Sequence, residues 1–199
     1  VSDAPNLALY FAPGSSSMAP HIALHELGVA FEPRPVSFHR RETRTAEFLA
    51  INPAGKVPVL LIDGRPLTEV AAILWWLARR FPEGGLWPQG GLDADALALA
   101  WMSFLASTVH PARRQGVEPA RGAFATADRR MAGPGWVFGS YSVIDIFLFR
   151  LYWRFRTSLG EDTAAERPNL EALYERMMAR PAVRKTIEIE SAMGYELPA

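Results

Sequence analysis

A proline at the mouth of an apolar run constrains this chain more than any other feature. Asn52-Pro53-Ala54-Gly55-Lys56-Val57-Pro58-Val59-Leu60-Leu61-Ile62 leads into Asp63-Gly64 and then Leu67-Thr68-Glu69. Proline has no N–H for a sheet ladder, so Pro58 belongs at a strand's first residue or at an edge. The Val57-Pro58 bond is a candidate for the cis form. Pairing is then interrupted at Val57, whose backbone N–H and C=O are left to bond something extended. Thr68 or Glu69 opens a helix whose free N–H groups and positive dipole end suit an anion. A peptide-like ligand with a carboxylate fits both features; an ordinary strand start and hairpin is the plain alternative.

The residues around this stretch set its context. Leu7–Phe11 reads as a buried strand, 12–17 as a loop, and Ala19–Leu27 as a helix stopped by Gly28. Phe31–Phe38 is expected to be extended, with Pro33 and Pro35 placing it at a sheet edge. Thr45–Ile51 is a short helix, Val57–Ile62 a strand, Asp63-Gly64 a hairpin turn and Pro66-Leu67 its partner. Val70, Ile73, Leu74, Leu77 and Phe81 recur at helical spacing. That order predicts an α/β domain over 1–82 with a mixed sheet. The Pro/Gly-rich stretch 83–92 reads as a linker, and 93–199 as an all-helical domain.

In the second half Leu97, Trp101, Phe104, Leu105 and Thr108 line a helix predicted to end at His110-Pro111. Gly122–Met131 is a further helix. Ser142–Arg156 is apolar nearly all round and should be the central one. Ser142 and Asp145 have capping-box spacing, which makes Asp145 a structural cap rather than a catalytic acid. Asn169–Ala179 and Pro181–Ala192 complete the domain.

Composition excludes several classes. The 21 Lys+Arg balance the 21 Asp+Glu, so no global field attracts nucleic acid or anionic lipid. Arginines interrupt the longest apolar runs, so no membrane span is expected, and the first residues lack a signal peptide's pattern, which points to a cytoplasmic protein. With no cysteine there is neither a disulfide nor a protein thiolate. His21 and His25 stand at metal-pair spacing without a third ligand, so no metal is expected.

The order of motifs resembles the glutathione transferases. The residues that carry the resemblance are Ser16-Ser17-Met18-Ala19-Pro20-His21-Ile22-Ala23-Leu24, Asn52 to Pro58, Leu67-Thr68-Glu69, Tyr141 to Asp145, and Arg180-Pro181-Ala182-Val183. The Ala-Pro-His run and the Trp101-to-His110 spacing are most similar to the bacterial beta class. The resemblance implies a thioredoxin-like domain that binds glutathione as co-substrate, a helical domain that builds the electrophile pocket, and a homodimer with the active site beside the subunit interface. It implies a cis Pro58, a Val57 backbone paired with the cysteinyl part of glutathione, Glu69 on the γ-glutamyl ammonium and the Val70 N–H on its carboxylate. Lys56 stands where the family has a polar contact to the tripeptide. Ser103 and His110 fall where helix residues line the beta-class site. Two departures stand out. Val70 replaces a frequent Ser or Thr, losing a hydroxyl bond of about 0.5–1.5 kcal/mol. Ser16 occupies the beta-class cysteine position, which removes mixed-disulfide chemistry. The segment from His110 to Gly139 is also shorter than in the family, so helices there are expected to be trimmed.

The expected chemistry is addition of the glutathione thiolate to a small hydrophobic electrophile. The thiolate is the nucleophile, and hydroxyls and helix N-terminal amides near Ser15, Ser16 and Ser17 can stabilise it. Ser16 is the first candidate, Ser17 the second and Ser15 the third; capping of the helix is the structural alternative. His110 is a candidate for proton transfer, and a helix-end interaction is its plainer role. Phe11, Met18, Trp101, Phe104, Tyr152 and Trp153 are candidates for either pocket or core. Two further functions remain open: a glutathione-dependent isomerase or dehalogenase, and a non-catalytic binding protein of the same fold.

Overall fold

The computed structural model describes residues 4–131, 133–159 and 166–196. Contacts divide the chain into two compact units, the residues up to Leu77 with those from Ala182 onward, and Ala78–Pro181.

A four-stranded sheet in the order β2-β1-β3-β4 organises the first unit. Its strands are β1 (Leu7–Phe11), β2 (Glu32–Pro35), β3 (Val59–Ile62) and β4 (Arg65–Thr68). β1 is parallel to β2 and antiparallel to β3, which is antiparallel to β4. The apolar runs of β1 and β3 follow from their central places: Leu7, Leu9, Phe11, Val59 and Leu60 are all buried. β2, with Pro33 and Pro35, is the edge strand the sequence predicts. The parallel crossover is α1 (Met18–Leu27), which buries Met18, Ile22 and Leu24 and stops at Gly28 in the left-handed region. Thr45 caps α2 (Ala46–Ile51), its hydroxyl accepting from the Phe48 N–H at 3.2 Å. Asp63 and Gly64 both have positive φ, as a two-residue hairpin needs. α3 (Val70–Arg80) buries Ile73, Leu74 and Leu77.

The last helix, α9 (Pro181–Met193), falls mostly in this unit rather than with the other C-terminal helices. Thr186 Oγ1 donates to the Ala182 carbonyl at 2.8 Å, so it accepts the Nδ1–H of His25 at 2.9 Å. Burial, helped by His21 and Lys185, holds the His25 pKa down at about 4, so this imidazole is neutral at pH 7.

The second unit is helical: α4 (Gly91–Phe104), a π-helical turn (Leu105–Val109), α5 (His110–Gln115), α6 (Val117–Arg130), α7 (Val143–Leu159) and α8 (Pro168–Met178). The stop expected at His110-Pro111 does not occur; Gly91–Gln115 is one helical rod of 25 residues. Pro111 lacks an N–H and its ring crowds the carbonyl of the preceding turn. The rod accommodates it by widening, and the His110 N–H bonds Leu105 O, five residues back. Among the described residues this rod alone is long and apolar enough to cross a membrane by length and composition. It packs on α6 and α7 through Ala98, Trp101, Met102, Leu105 and Val109, and leaves Leu92, Leu97 and Leu99 exposed. α6 begins at Val117, ahead of the expected Gly122, and the stretch read as a linker buries Leu86 and Trp87.

α7 is the central helix of this unit, with Val143, Ile144, Ile146, Leu148, Phe149 and Tyr152 fully buried. Asp145 is its cap: Oδ2 accepts the Ser142 N–H at 2.9 Å and its hydroxyl at 2.8 Å, and Oδ1 accepts the Val137 N–H at 2.8 Å. Burial pushes the Asp145 carboxyl up to about 6, and these donors limit the rise. Asp145→Ala should cost about 2–4 kcal/mol in urea unfolding at pH 7. The native carboxyl binds protons more readily than the unfolded one, so wild type should gain on the variant as pH falls from about 6 to 3.8. Parallel curves at both pH values would contradict this reading.

Candidate functional site

Register brings three segments to one end of the sheet. Val59 pairs with Tyr10 on one side and with Thr68 on the other. The residues just beyond those pairs are the loop after β1, the Val57-Pro58 dipeptide, and Glu69 at the start of α3. The Val57-Pro58 bond is cis, and β3 begins only at Val59. Among the described residues no hydrogen bond reaches the Val57 N–H.

Asn52 builds the turn that delivers Val57. It is buried, its N–H closes α2 on Phe48 O at 2.8 Å, and its carbonyl accepts from Gly55 N at 2.9 Å. Its side-chain Nδ2 donates to Lys56 O at 2.7 Å while Oδ1 accepts from Ala54 N at 3.1 Å. Both ends of the amide are satisfied inside the turn, so Lys56 spends its carbonyl there, while the Val57 side chain packs against the cluster of Ala12, Val36, Phe48 and Val59. The Lys56 side chain is exposed and Pro58 is buried. Gly55, at φ +60, passes under Arg44: a Cβ there would lie 2.6 Å from Arg44 Nη1 and 2.9 Å from Thr43 O.

Glu69 has φ 68, a left-handed conformation that non-glycine residues rarely adopt, and its side chain is exposed. That turn aims the start of α3 at the sheet's end. The first helical bond runs from Ile73 N to Glu69 O at 3.0 Å, so the amides of Val70, Ala71 and Ala72 stand ahead of the ladder. Val70 itself is buried, and its backbone rather than its side chain is presented.

The serine loop separates its three hydroxyls. Ser17 is fully buried; its Oγ accepts from Ala12 N at 3.1 Å, lies 3.2 Å from Ala12 O as donor, and meets Ser15 Oγ at 2.6 Å. It ties the loop to the end of β1. Ser15 also accepts from Ser17 N at 3.3 Å. Ser16 is partly exposed, and among the described residues its hydroxyl reaches only Val57 O at 3.5 Å, beyond the length of a good hydroxyl bond. The structure thus brings Ser16, Lys56, Val57, Pro58, Glu69 and Val70 to one rim, with Ser17 beneath it.

Ser103 and His110 lie in the second unit. Ser103 is exposed on α4 and its carbonyl accepts from Ser107 Oγ at 2.8 Å; His110 is half-buried in the rod. Of the pocket candidates, Phe11, Met18, Trp101, Tyr152 and Trp153 are core. Phe104 is half-buried under the Arg130 guanidinium, 4.2 Å from the ring centroid. Tyr10 accepts from Arg34 Nη1 at 3.0 Å, away from the serines in its bonding. No metal-binding cluster occurs among the described residues. The strut role of Asn52 is absent from the sequence reading, although an asparagine between a helix and a proline is its signal.

A family model for the N-terminal domain of glutathione S-transferases matches residues 15–80. The chain is 29% identical to the glutathione S-transferase GST-4.5 of Xanthomonas campestris pv. campestris, over 92% of this chain and 98% of that one. It superposes on a sphingomonad glutathione S-transferase complexed with glutathione at TM-score 0.82, with 34% identity over 92% of this chain and 98% of the other. The bacterial beta class enzyme of Sphingomonas chungbukensis gives TM-score 0.80 and 33% identity, over 92% and 98% of the two chains.

Gly55 and Gly28 allow the turn's packing to be measured. Both have positive φ, but a Cβ at Gly28 meets nothing within 4 Å. Gly28→Ala should cost about 1 kcal/mol and Gly55→Ala about 2–3 kcal/mol by chemical denaturation. Equal losses would mean that the Arg44 and Thr43 contacts carry no weight.

Proposed function

Since the chain belongs to the glutathione transferase family, we propose that it binds glutathione along the Val57 edge and uses the Ser16 hydroxyl to stabilise the thiolate for attack on a small hydrophobic electrophile. The cysteinyl backbone pairs with the Val57 N–H and C=O, as a short antiparallel strand would. The γ-glutamyl carboxylate takes the free amides at the start of α3 and its dipole, and Glu69 takes the ammonium. Lys56 lies on the same rim as a cation for the rest of the tripeptide. These contacts are made by groups that have no ladder partner in the fold, so binding needs no pairing to be broken.

One observation carries the assignment of Ser16. Its hydroxyl stands over the Val57 carbonyl at 3.5 Å with only that weak acceptor, whereas Ser17 is buried and committed. A proton so loosely held can turn to a sulfur anion placed beside Val57. A hydrogen bond to a charged acceptor contributes about 1.5–3 kcal/mol. One pKa unit corresponds to about 1.4 kcal/mol, so this bond accounts for a fall of one to two units in the thiol. With an activated aryl chloride the thiolate forms the S–C bond, the C–Cl bond breaks and chloride leaves; the serine keeps its proton throughout.

The chain is assigned to a homodimer. Support for the dimer comes from large apolar side chains left at the surface, Leu92 at 82% and Trp75 at 44% exposure. A non-catalytic binding protein remains the competing function, and thiol titration separates the two.

Ser16→Ala should leave glutathione affinity within about threefold by calorimetry, raise the bound thiol pKa by one to two units in thiolate absorbance, and lower kcat/KM for an aryl chloride at least about tenfold. Ser17→Ala should instead lower stability. A bound thiol with the same pKa in wild type and Ser16→Ala would overturn the assignment, and no binding at millimolar glutathione would overturn the function.

A further inference from the structure

The serine loop is held from behind by a residue that the proposed chemistry does not use. Glu190 lies on α9, 176 positions from Gly14 in sequence, and is fully buried. Its Oε2 accepts the Gly14 N–H at 2.6 Å, and its Oε1 accepts from His21 Nδ1 at 2.8 Å. His21 is itself buried, 1% exposed, with its ring against Phe11, His25 and Phe31. A buried carboxylate is costly unless its oxygens are bonded, and both of these are.

The two points that Glu190 grips lie on either side of the serine run. Gly14, at φ 74, is the turn residue just before Ser15. His21 is on α1, where its N–H bonds Ser17 O at 3.1 Å. Ser15, Ser16 and Ser17 are therefore suspended between two anchors on one carboxylate. Ser17 adds the tie to Ala12 from the other side. Ser16 is the member of the run with the fewest bonds of its own, so its place over Val57 depends on where Gly14 is held.

We propose that Glu190 is a positioning residue: by gripping Gly14 and His21 it fixes the serine loop so that the Ser16 hydroxyl faces the ligand beside Val57. This rests on the serine assignment made above. It assigns to α9 a part in the reaction through the loop it holds.

Glutamine distinguishes holding from charge. In Glu190→Gln the amide oxygen would still accept the Gly14 N–H, and the NH2 would turn to His21 Nδ1, which would then take the other tautomer and accept. Alanine would release both. The test is the bound glutathione thiol pKa in Glu190→Gln and Glu190→Ala, read by thiolate absorbance, together with the Gly14 amide proton shift. Glu190→Gln should hold the thiol pKa within about 0.3 units of wild type. Glu190→Ala should move the Gly14 amide upfield and raise the thiol pKa by about one unit or more, with glutathione affinity changed less than about threefold. If Glu190→Ala does not fold, Glu190→Asp, too short to reach both donors, replaces it with the same expectation. The proposal is overturned if the thiol pKa of the released variant equals that of wild type, or if Glu190→Gln raises it as much as alanine does. A Ser16→Ala protein with an unchanged thiol pKa would sink the serine assignment instead, whatever the Gly14 signal shows.

Discussion

The sheet ladder stops two residues short of where the apolar run begins, and the site depends on that shortfall. Val59 is the last rung, paired to Tyr10 and Thr68. Pro58 has no N–H with which to extend it, and Asn52 draws the Lys56 carbonyl inward. What remains is Val57, whose backbone groups lie outside the ladder at the end of a central, buried strand. Backbone groups without a ladder partner are normally a liability; here they are kept to a single residue. Glu69 and the first amides of α3 complete the rim because Thr68 is fixed opposite Val59.

The rest of the first unit serves to keep that rim in place. Ser17 ties the serine loop to β1, Asn52 ties the turn to α2, and Glu190 ties the loop to α9. All three struts are buried polar groups with satisfied partners, the condition under which a polar core specifies one geometry. At the rim itself the left-handed residue is Glu69, whose positive φ sets the direction of α3. Rim residues are thus weakly bonded and strut residues strongly bonded, which leaves binding capacity where a ligand can reach it.

Local rules make much of this legible in the chain. Pro58, Asp63-Gly64 and the Ser142–Asp145 pair each announce a short-range constraint, and each stands where its chemistry requires. The misreadings share a different origin. Pro111 reads as a helix stop, but the neighbouring turn widens instead, a remedy with no local signature. Ser16 and Ser17 are adjacent and identical, and only tertiary burial makes one a strut and leaves the other loosely held. Phe11, Met18 and Tyr152 look fit for a pocket until packing places them in the core. Glu190 is one of two acids on α9, and no spacing links it to a glycine near the other end of the chain.

The most direct measurement is a backbone 1H–15N titration with S-methylglutathione, which has the tripeptide but no ionisable thiol. The Val57, Val70 and Ala71 amides should shift together and saturate along one isotherm, with Val57 moving downfield as its N–H gains an acceptor. If these amides stayed still while shifts gathered elsewhere, the interrupted strand edge would not be the glutathione site.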